Sequence, residues 1–120
     1  MRKKVMLVDD SVLVLRIASA YLRDRYEVVT EASGEEALAD TATQRPDVIV
    51  MDLNMSGRSG IEVADLLSRD RRTSDIPIVI MTTSSEVRLL PSQFDRVTKP
   101  FDKGTLLAKI AERLHEPSSS

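Results

Sequence analysis

The chain has 120 residues, with 17 Lys and Arg against 19 Asp and Glu and 42% apolar residues. Such a length and balance fit one globular domain with a single core and exclude a disordered chain. The net charge of −2 gives no ground for nucleic-acid contact, and the absence of cysteine removes disulfides and thiolate metal sites.

Four short apolar runs mark strands. Val5-Met6-Leu7-Val8 is the first, and Ser11 is placed to cap a helix over about residues 11–24, with Val12, Leu15, Ala18, Ser19 and Leu22 at helical spacing. Glu27-Val28-Val29-Thr30 reads as the second strand. Ser33-Gly34-Glu35-Glu36 opens a helix whose apolar side carries Ala37, Leu38 and Ala42, and Pro46 ends the connection. Val48-Ile49-Val50-Met51 is the third strand. Gly57 and Gly60 then bracket a polar loop before a helix with Ile61, Ala64, Leu66 and Leu67 facing inward. The fourth strand starts near Ile76-Pro77 and runs through Ile78-Val79-Ile80-Met81. Arg96-Val97-Thr98 is a fifth. Asp102 is placed to cap a last helix with Leu106, Leu107, Ile110 and Leu114 in one stripe.

No apolar run nears the roughly 20 residues of a membrane helix. The first run is too short for a signal-peptide core, so a cytoplasmic location without membrane contact is expected. Arg69, Arg71 and Arg72 are interleaved with Asp65, Asp70 and Asp75 and read as a solvated helix end. His115 reads as a surface residue near the end of the last helix. Residues 1–115 are expected to form the domain, and 116–120 a tail or the start of a linker.

Uninterrupted apolar strands joined by helices imply a parallel sheet covered on both faces. The expected architecture is α/β and flavodoxin-like: a doubly wound five-stranded parallel sheet in the order 2-1-3-4-5. Ligands then bind beyond the carboxyl ends of the strands, at the switch point between the first and third. The polar residues that end the strands all fall at that edge. They are Asp9-Asp10, Asp52, Thr82 and Lys99.

Each has a plain structural explanation when taken alone. The acid pair can cap a helix, Asp52 can sit in a turn, Thr82 can end a strand and Lys99-Pro100 can make a solvated turn. Together they build one polar site. Three carboxylates in one pocket repel one another unless a cation joins them, and oxygen ligands without His or Cys favour a hard ion such as Mg²⁺. Asp10 and Asp52 are expected as direct ligands, Asp9 through water, and the Asn54 carbonyl as a further ligand. A phosphoryl group fits the remaining space. Lys99 can hold one of its oxygens and the Thr82 hydroxyl another.

From Lys4 to about Leu114 the chain resembles the receiver domain of two-component response regulators, the CheY-like family. The residues that carry the resemblance are Val8-Asp9-Asp10-Ser11, Asp52-Leu53-Asn54-Met55, Gly57, Gly60, Thr82 and Lys99-Pro100-Phe101. The resemblance implies that Asp52 accepts a phosphoryl group from a histidine kinase or phosphotransfer protein in a phosphorelay. It implies that Asp9 and Asp10 organise Mg²⁺, and that Thr82 and Lys99 read the phosphate. It also implies a downstream protein or output domain as partner, and it allows a homodimer.

Three departures from the family pattern stand out. Ser56 replaces a frequent proline and is expected to loosen the loop after Asp52. Arg96 stands where many receivers carry a switch aromatic, with Phe94 nearby but out of register. From Thr82 to Lys99 is 99 − 82 = 17 positions, fewer than receivers usually carry. Pro91 further limits any helix there. The helix between the fourth and fifth strands is therefore expected to be short, shifted or absent. Output is expected to leave by another face, formed by the first and last helices.

Two other functions compete with a phosphorylatable switch. A haloacid-dehalogenase-like phosphatase also uses an aspartate nucleophile, Mg²⁺, a hydroxyl and a lysine, but typically carries Asp-x-Asp after its first strand and a substrate cap, both missing here. A receiver-like adaptor that works without phosphorylation is favoured by the missing aromatic and disfavoured by the intact site residues. A nucleotide-binding role lacks a glycine-rich phosphate loop. The chain is therefore expected to be a switch and not an enzyme, beyond catalysing its own phosphorylation and dephosphorylation.

Overall fold

The structure, a computed structural model, describes residues 2–117. The last part of the expected tail, 118–120, lies outside the described residues. Five strands and four helices alternate: β1 (Lys4–Val8), α1 (Val12–Leu22), β2 (Glu27–Glu31), α2 (Gly34–Gln44), β3 (Val48–Asp52), α3 (Gly60–Arg69), β4 (Ile78–Thr83), β5 (Asp95–Lys99) and α4 (Lys103–Arg113). The sheet is parallel throughout with strand order β2-β1-β3-β4-β5, as the sequence pattern implies.

The β-branched and apolar runs form strands because both of their faces are covered. Met6, Val8, Ile49, Met51 and Ile80 pack with Ala37 of α2 and with Val63 and Leu67 of α3. Val5, Leu7, Val48, Val50, Val79 and Met81 face the other way, onto Ala18 and Leu22 of α1 and Leu106 and Ile110 of α4. Each of the larger side chains contributes roughly 1.5–3 kcal/mol on burial, so the central strands are held far more firmly than the loops they carry.

Local signals start the helices. Ser11, Ser33 and Asp102 accept from the backbone N–H of Val14, Glu36 and Thr105, and Ser59 with Glu62 forms a reciprocal capping box at α3. Some expectations fail at the edges. Leu66, expected to face inward, is 37% exposed. The fourth strand begins at Ile78, two residues later than expected, because Pro77 has no N–H for the ladder and contributes only its carbonyl, to Ile49. No described helix is long and apolar enough to cross a membrane.

The largest local departure from a regular alternation lies between β4 and β5. A single 3-10 turn, Val87–Leu89, stands where a helix would complete the pattern. Arg96 stabilises this segment. Its guanidinium donates to the carbonyl oxygens of Val87 at 3.1 Å, Pro91 at 3.0 Å and Phe94 at 2.9 Å. On the other side of β5, Asp95 accepts from Lys109 at 2.9 Å and pairs with Arg113, which fixes α4 against the strand.

Candidate functional site

Asp9, Asp52 and Lys99 come together at the carboxyl edge of the sheet. Lys99 Nζ donates to Asp9 Oδ2 at 2.8 Å and to Asp52 Oδ1 at 3.0 Å. Strand alternation explains the meeting. Asp52 follows Val48 and Val50 on the α1/α4 face, Asp9 follows Val5 and Leu7, and Lys99 follows Val97. Asp9 is 1% exposed and Asp52 8%. The Lys99–Pro100 peptide is cis.

Asp10 is exposed and reaches the same place from the other side of the β1 terminus. Carboxylate oxygens of Asp9, Asp10 and Asp52 lie within 4.8 Å of one another. This donor set fits a hard divalent cation: three hard oxygens, incomplete neutralisation by one lysine, and no soft ligand.

Electrostatics follow from the packing. Burial pushes the Asp52 carboxyl above its ordinary range; the Lys99 hydrogen bond opposes this, and the charges of Asp9 and Asp10 reinforce it. Burial works against the Lys99 ammonium, but its bonds to Asp9 and Asp52 and their charges outweigh that, so its pKa is raised. Asp10 is held below the usual carboxylate range by the Ser56 backbone N–H first and the Ser56 hydroxyl second. Ser56 therefore ties the loop to Asp10 and does not loosen it.

Thr82 is 1% exposed, and its hydroxyl donates to the Thr83 carbonyl at 3.4 Å. It follows Ile80 on the face opposite Asp52. Thr83, in register with Lys99, shares the face of Asp52 and Lys99. Asn54 is exposed and its side-chain amide donates to Glu86.

Glu86 has no place in the sequence reading. Its carboxylate accepts from Thr83 Oγ1 at 2.8 Å and from Asn54 Nδ2, so one side chain joins the loops after β4 and β3. These bonds, Thr83 first and Asn54 second, hold it below its usual pKa. The signal was Thr83-x-x-Glu86, a capping-box pattern. The Glu86 N–H does bond the Thr83 carbonyl at 3.1 Å, but no helix continues.

Two glycines shape the loop that carries Asn54 and Ser56. Gly57 adopts φ +83°, a left-handed backbone that side chains disfavour. At Gly60, a Cβ would lie 2.2 Å from the Asp52 carbonyl oxygen.

Beside Lys99 runs an apolar groove of about 450 Å³, lined by Val14, Ile17, Tyr21, Thr83, Pro100 and Phe101. Tyr21 and Phe101 meet edge-to-face at 6.5 Å. Ile17, which lines the groove, is exposed, as are Val12 and Leu13 elsewhere on α1.

A parallel 2-1-3-4-5 sheet with acids and a lysine gathered at its switch point defines a flavodoxin-like signalling fold of the CheY type. Residues 5–111 match the family model of the response regulator receiver domain, and the chain belongs to that family. It is 31% identical to protein PilH of Pseudomonas aeruginosa over 113 residues, 89% of this chain and 93% of PilH. It is 34% identical to the heme response regulator HssR of Staphylococcus haemolyticus, over 89% of this chain and 49% of HssR. The chain thus spans about half the length of several curated relatives it matches. Among solved structures, the chemotaxis response regulator CheY4 of Vibrio cholerae superposes with a TM-score of 0.85 at 33% identity, covering 95% of this chain and all of that one. Receiver domains are signalling proteins of two-component systems, not conventional enzymes; they bind Mg²⁺ at an acidic pocket and partner with histidine kinases and output proteins.

Proposed function

We propose that the chain is a phosphoacceptor switch in which Asp52 takes the phosphoryl group. The observation that carries this reading is the Lys99 bridge. One ammonium engages Asp9 and a single oxygen of Asp52, which leaves Asp52 Oδ2 without a bond to Lys99. Oδ2 attacks phosphorus on the phosphodonor. A phosphorus–oxygen bond forms, and the bond to the donor's leaving group breaks with its electron pair. Lys99 holds a phosphoryl oxygen as the charge moves. Asp9, Asp10, Asp52 and the Asn54 carbonyl would hold Mg²⁺, which when bound neutralises charge on the transferring group.

Thr82 reads the phosphate by giving up its present hydrogen bond, which at 3.4 Å is long and costs little to break. The β4–β5 face available for output is atypical. The 84–94 segment is anchored to the site by Glu86 and to β5 by Arg96, and it presents no regular helix to a partner. The exposed apolar residues of α1, together with the groove beside Phe101, support α1 and α4 as the alternative contact face. A homodimer built on a regular helix after β4 would contradict this reading.

The test is intact mass after incubation with a small phosphodonor and Mg²⁺, for the wild type and Asp52→Asn. The expected result is a single phosphoryl adduct on the wild type alone, lost when EDTA is present. A phosphorylation-independent adaptor is the second reading. It is favoured by the three bonds through which Arg96 pins the segment that would have to move. An adduct-free wild type that binds no Mg²⁺ selects it.

A further inference from the structure

Asp10 is the exposed member of the acidic cluster, and an exposed carboxylate at a strand end ordinarily samples several rotamers. Ser56 restrains it here. Asp10 Oδ2 accepts from the Ser56 backbone N–H at 3.0 Å and from the Ser56 hydroxyl at 2.9 Å. Ser56 lies 46 positions along the chain, in the loop between Asp52 and α3, so the bonds close that loop over the end of β1. Both donors fall on the same oxygen, and neither touches Oδ1. Proline, frequent at this position in receivers, has no N–H and no hydroxyl, and would offer Asp10 neither bond.

We infer that Ser56 is a positioning residue for the cation site, holding Asp10 through Oδ2 so that Oδ1 is left as a preset ligand for Mg²⁺. The inference rests on reading Asp9, Asp10 and Asp52 as that site. Its physical basis is preorganisation. A ligand already fixed by an outer partner loses less freedom when the ion arrives, and such partners commonly affect metal affinity by about 10- to 100-fold. Asp10 is exposed, so the effect belongs at the lower end of that range. Met55, one residue before Ser56, is buried against the α3 side of the sheet, which anchors the loop from which Ser56 reaches.

The experiment is Mg²⁺ titration by calorimetry without any phosphodonor, on the full chain, for the wild type, Ser56→Ala, Ser56→Thr and Ser56→Pro. Removing the hydroxyl in Ser56→Ala is expected to weaken Mg²⁺ binding by roughly three- to tenfold. Removing both donors in Ser56→Pro is expected to weaken it further, by about tenfold or more. Ser56→Thr retains both donors and is expected to bind within about twofold of the wild type, a rescue that a role in loop packing alone would not produce. In an Asp10→Asn background, Ser56→Ala should add little further loss, because the bonded group has changed. Melting of the metal-free proteins identifies any variant that fails to fold; if Ser56→Pro does so, the Ala and Thr variants decide the matter.

Equal affinity of Ser56→Ala and the wild type overturns the inference. So does tighter binding by Ser56→Ala, since Ser56 would then compete with the ion for Asp10. A wild type that binds no Mg²⁺ overturns the reading of the acidic cluster, and the inference with it.

Discussion

Lys99 and Asp9 form an ion pair at 2.8 Å in which the Asp9 side chain is almost wholly enclosed and the Lys99 side chain is 22% exposed. The same ammonium reaches Asp52, so the two acids share one cation. Lys99→Ala removes it and leaves neighbouring carboxylates to repel each other. Loss of one partner of a buried pair costs up to about 3 kcal/mol in a partly exposed setting such as this. The loss should be larger near pH 7 than near pH 4, because lowering the pH favours protonation of Asp52, whose carboxyl burial already pushes above its ordinary range. Chemical denaturation at the two pH values checks this. Mg²⁺ binding should survive, while any phosphate-dependent response should be blunted.

Glu31 presents a different pH dependence. Its backbone carbonyl accepts the Asp9 N–H at 3.1 Å, while its side chain is only 5% exposed and Oε2 has no donor. Burial pushes its pKa to about 7, with Asp40 and then Glu36 adding to the rise. A folded-state pKa above the unfolded value means that folding takes up a proton. This stabilising contribution is complete below about 4.5 and is lost as pH rises through about 7. The metal-free melting temperature should therefore fall across that window, and Glu31→Gln should flatten the slope and gain a few degrees at neutral pH. A variant with the wild-type slope would place the titration elsewhere.

Arg96 makes three bonds to carbonyls of the segment between β4 and β5. Arg96→Ala should open that segment with little effect on the central strands, which are held by both core layers. Hydrogen exchange should speed up over residues 86–94, while Val50 and Val79 keep their protection. Global stability should fall by about 1–2 kcal/mol, the scale of a few partly exposed charge-assisted bonds. Uniform loss of protection would mean that Arg96 supports the whole sheet.

The two threonines at the end of β4 separate cleanly. Thr82→Ala should reduce the phosphate-dependent response several-fold while leaving adduct formation on Asp52 intact. Thr83→Ala removes one of the bonds to Glu86 and should instead loosen the 84–94 segment, visible in the same exchange experiment. If Thr83→Ala blunts the response and Thr82→Ala does not, the reading hydroxyl is the one that shares a face with Lys99.

Much of the fold was legible because it rests on local pattern. The four apolar runs are long enough to mark buried strands, and Ser11, Ser33 and Asp102 mark helix starts through side-chain chemistry that needs no tertiary partner. The short span from Thr82 to Lys99 and Pro91 foretold the missing helix. Glu86 and Ser56 were harder, because their partners lie 32 and 46 positions away in sequence and only folding brings them close. Ser56 was read by what it replaces, a rigid proline, and so as a loosening; its two donors point the other way. Leu66 was misread because helical spacing finds an apolar stripe but does not say where the buried arc ends.

The approach of Gly60 to the Asp52 carbonyl, where even a methyl group would lie 2.2 Å away, has a mechanical meaning. The end of β3 and the first turn of α3 touch without slack, and the Gly60 N–H to Leu53 carbonyl bond at 2.8 Å rivets them together. A tilt of the strand end would therefore be passed to a rod of ten residues, about 15 Å long at 1.5 Å per residue. Its far end, around Arg69, would travel furthest, on the side of the molecule away from the acids. Alanine at position 60 would pry the joint open, uncoupling the rod from the strand that drives it.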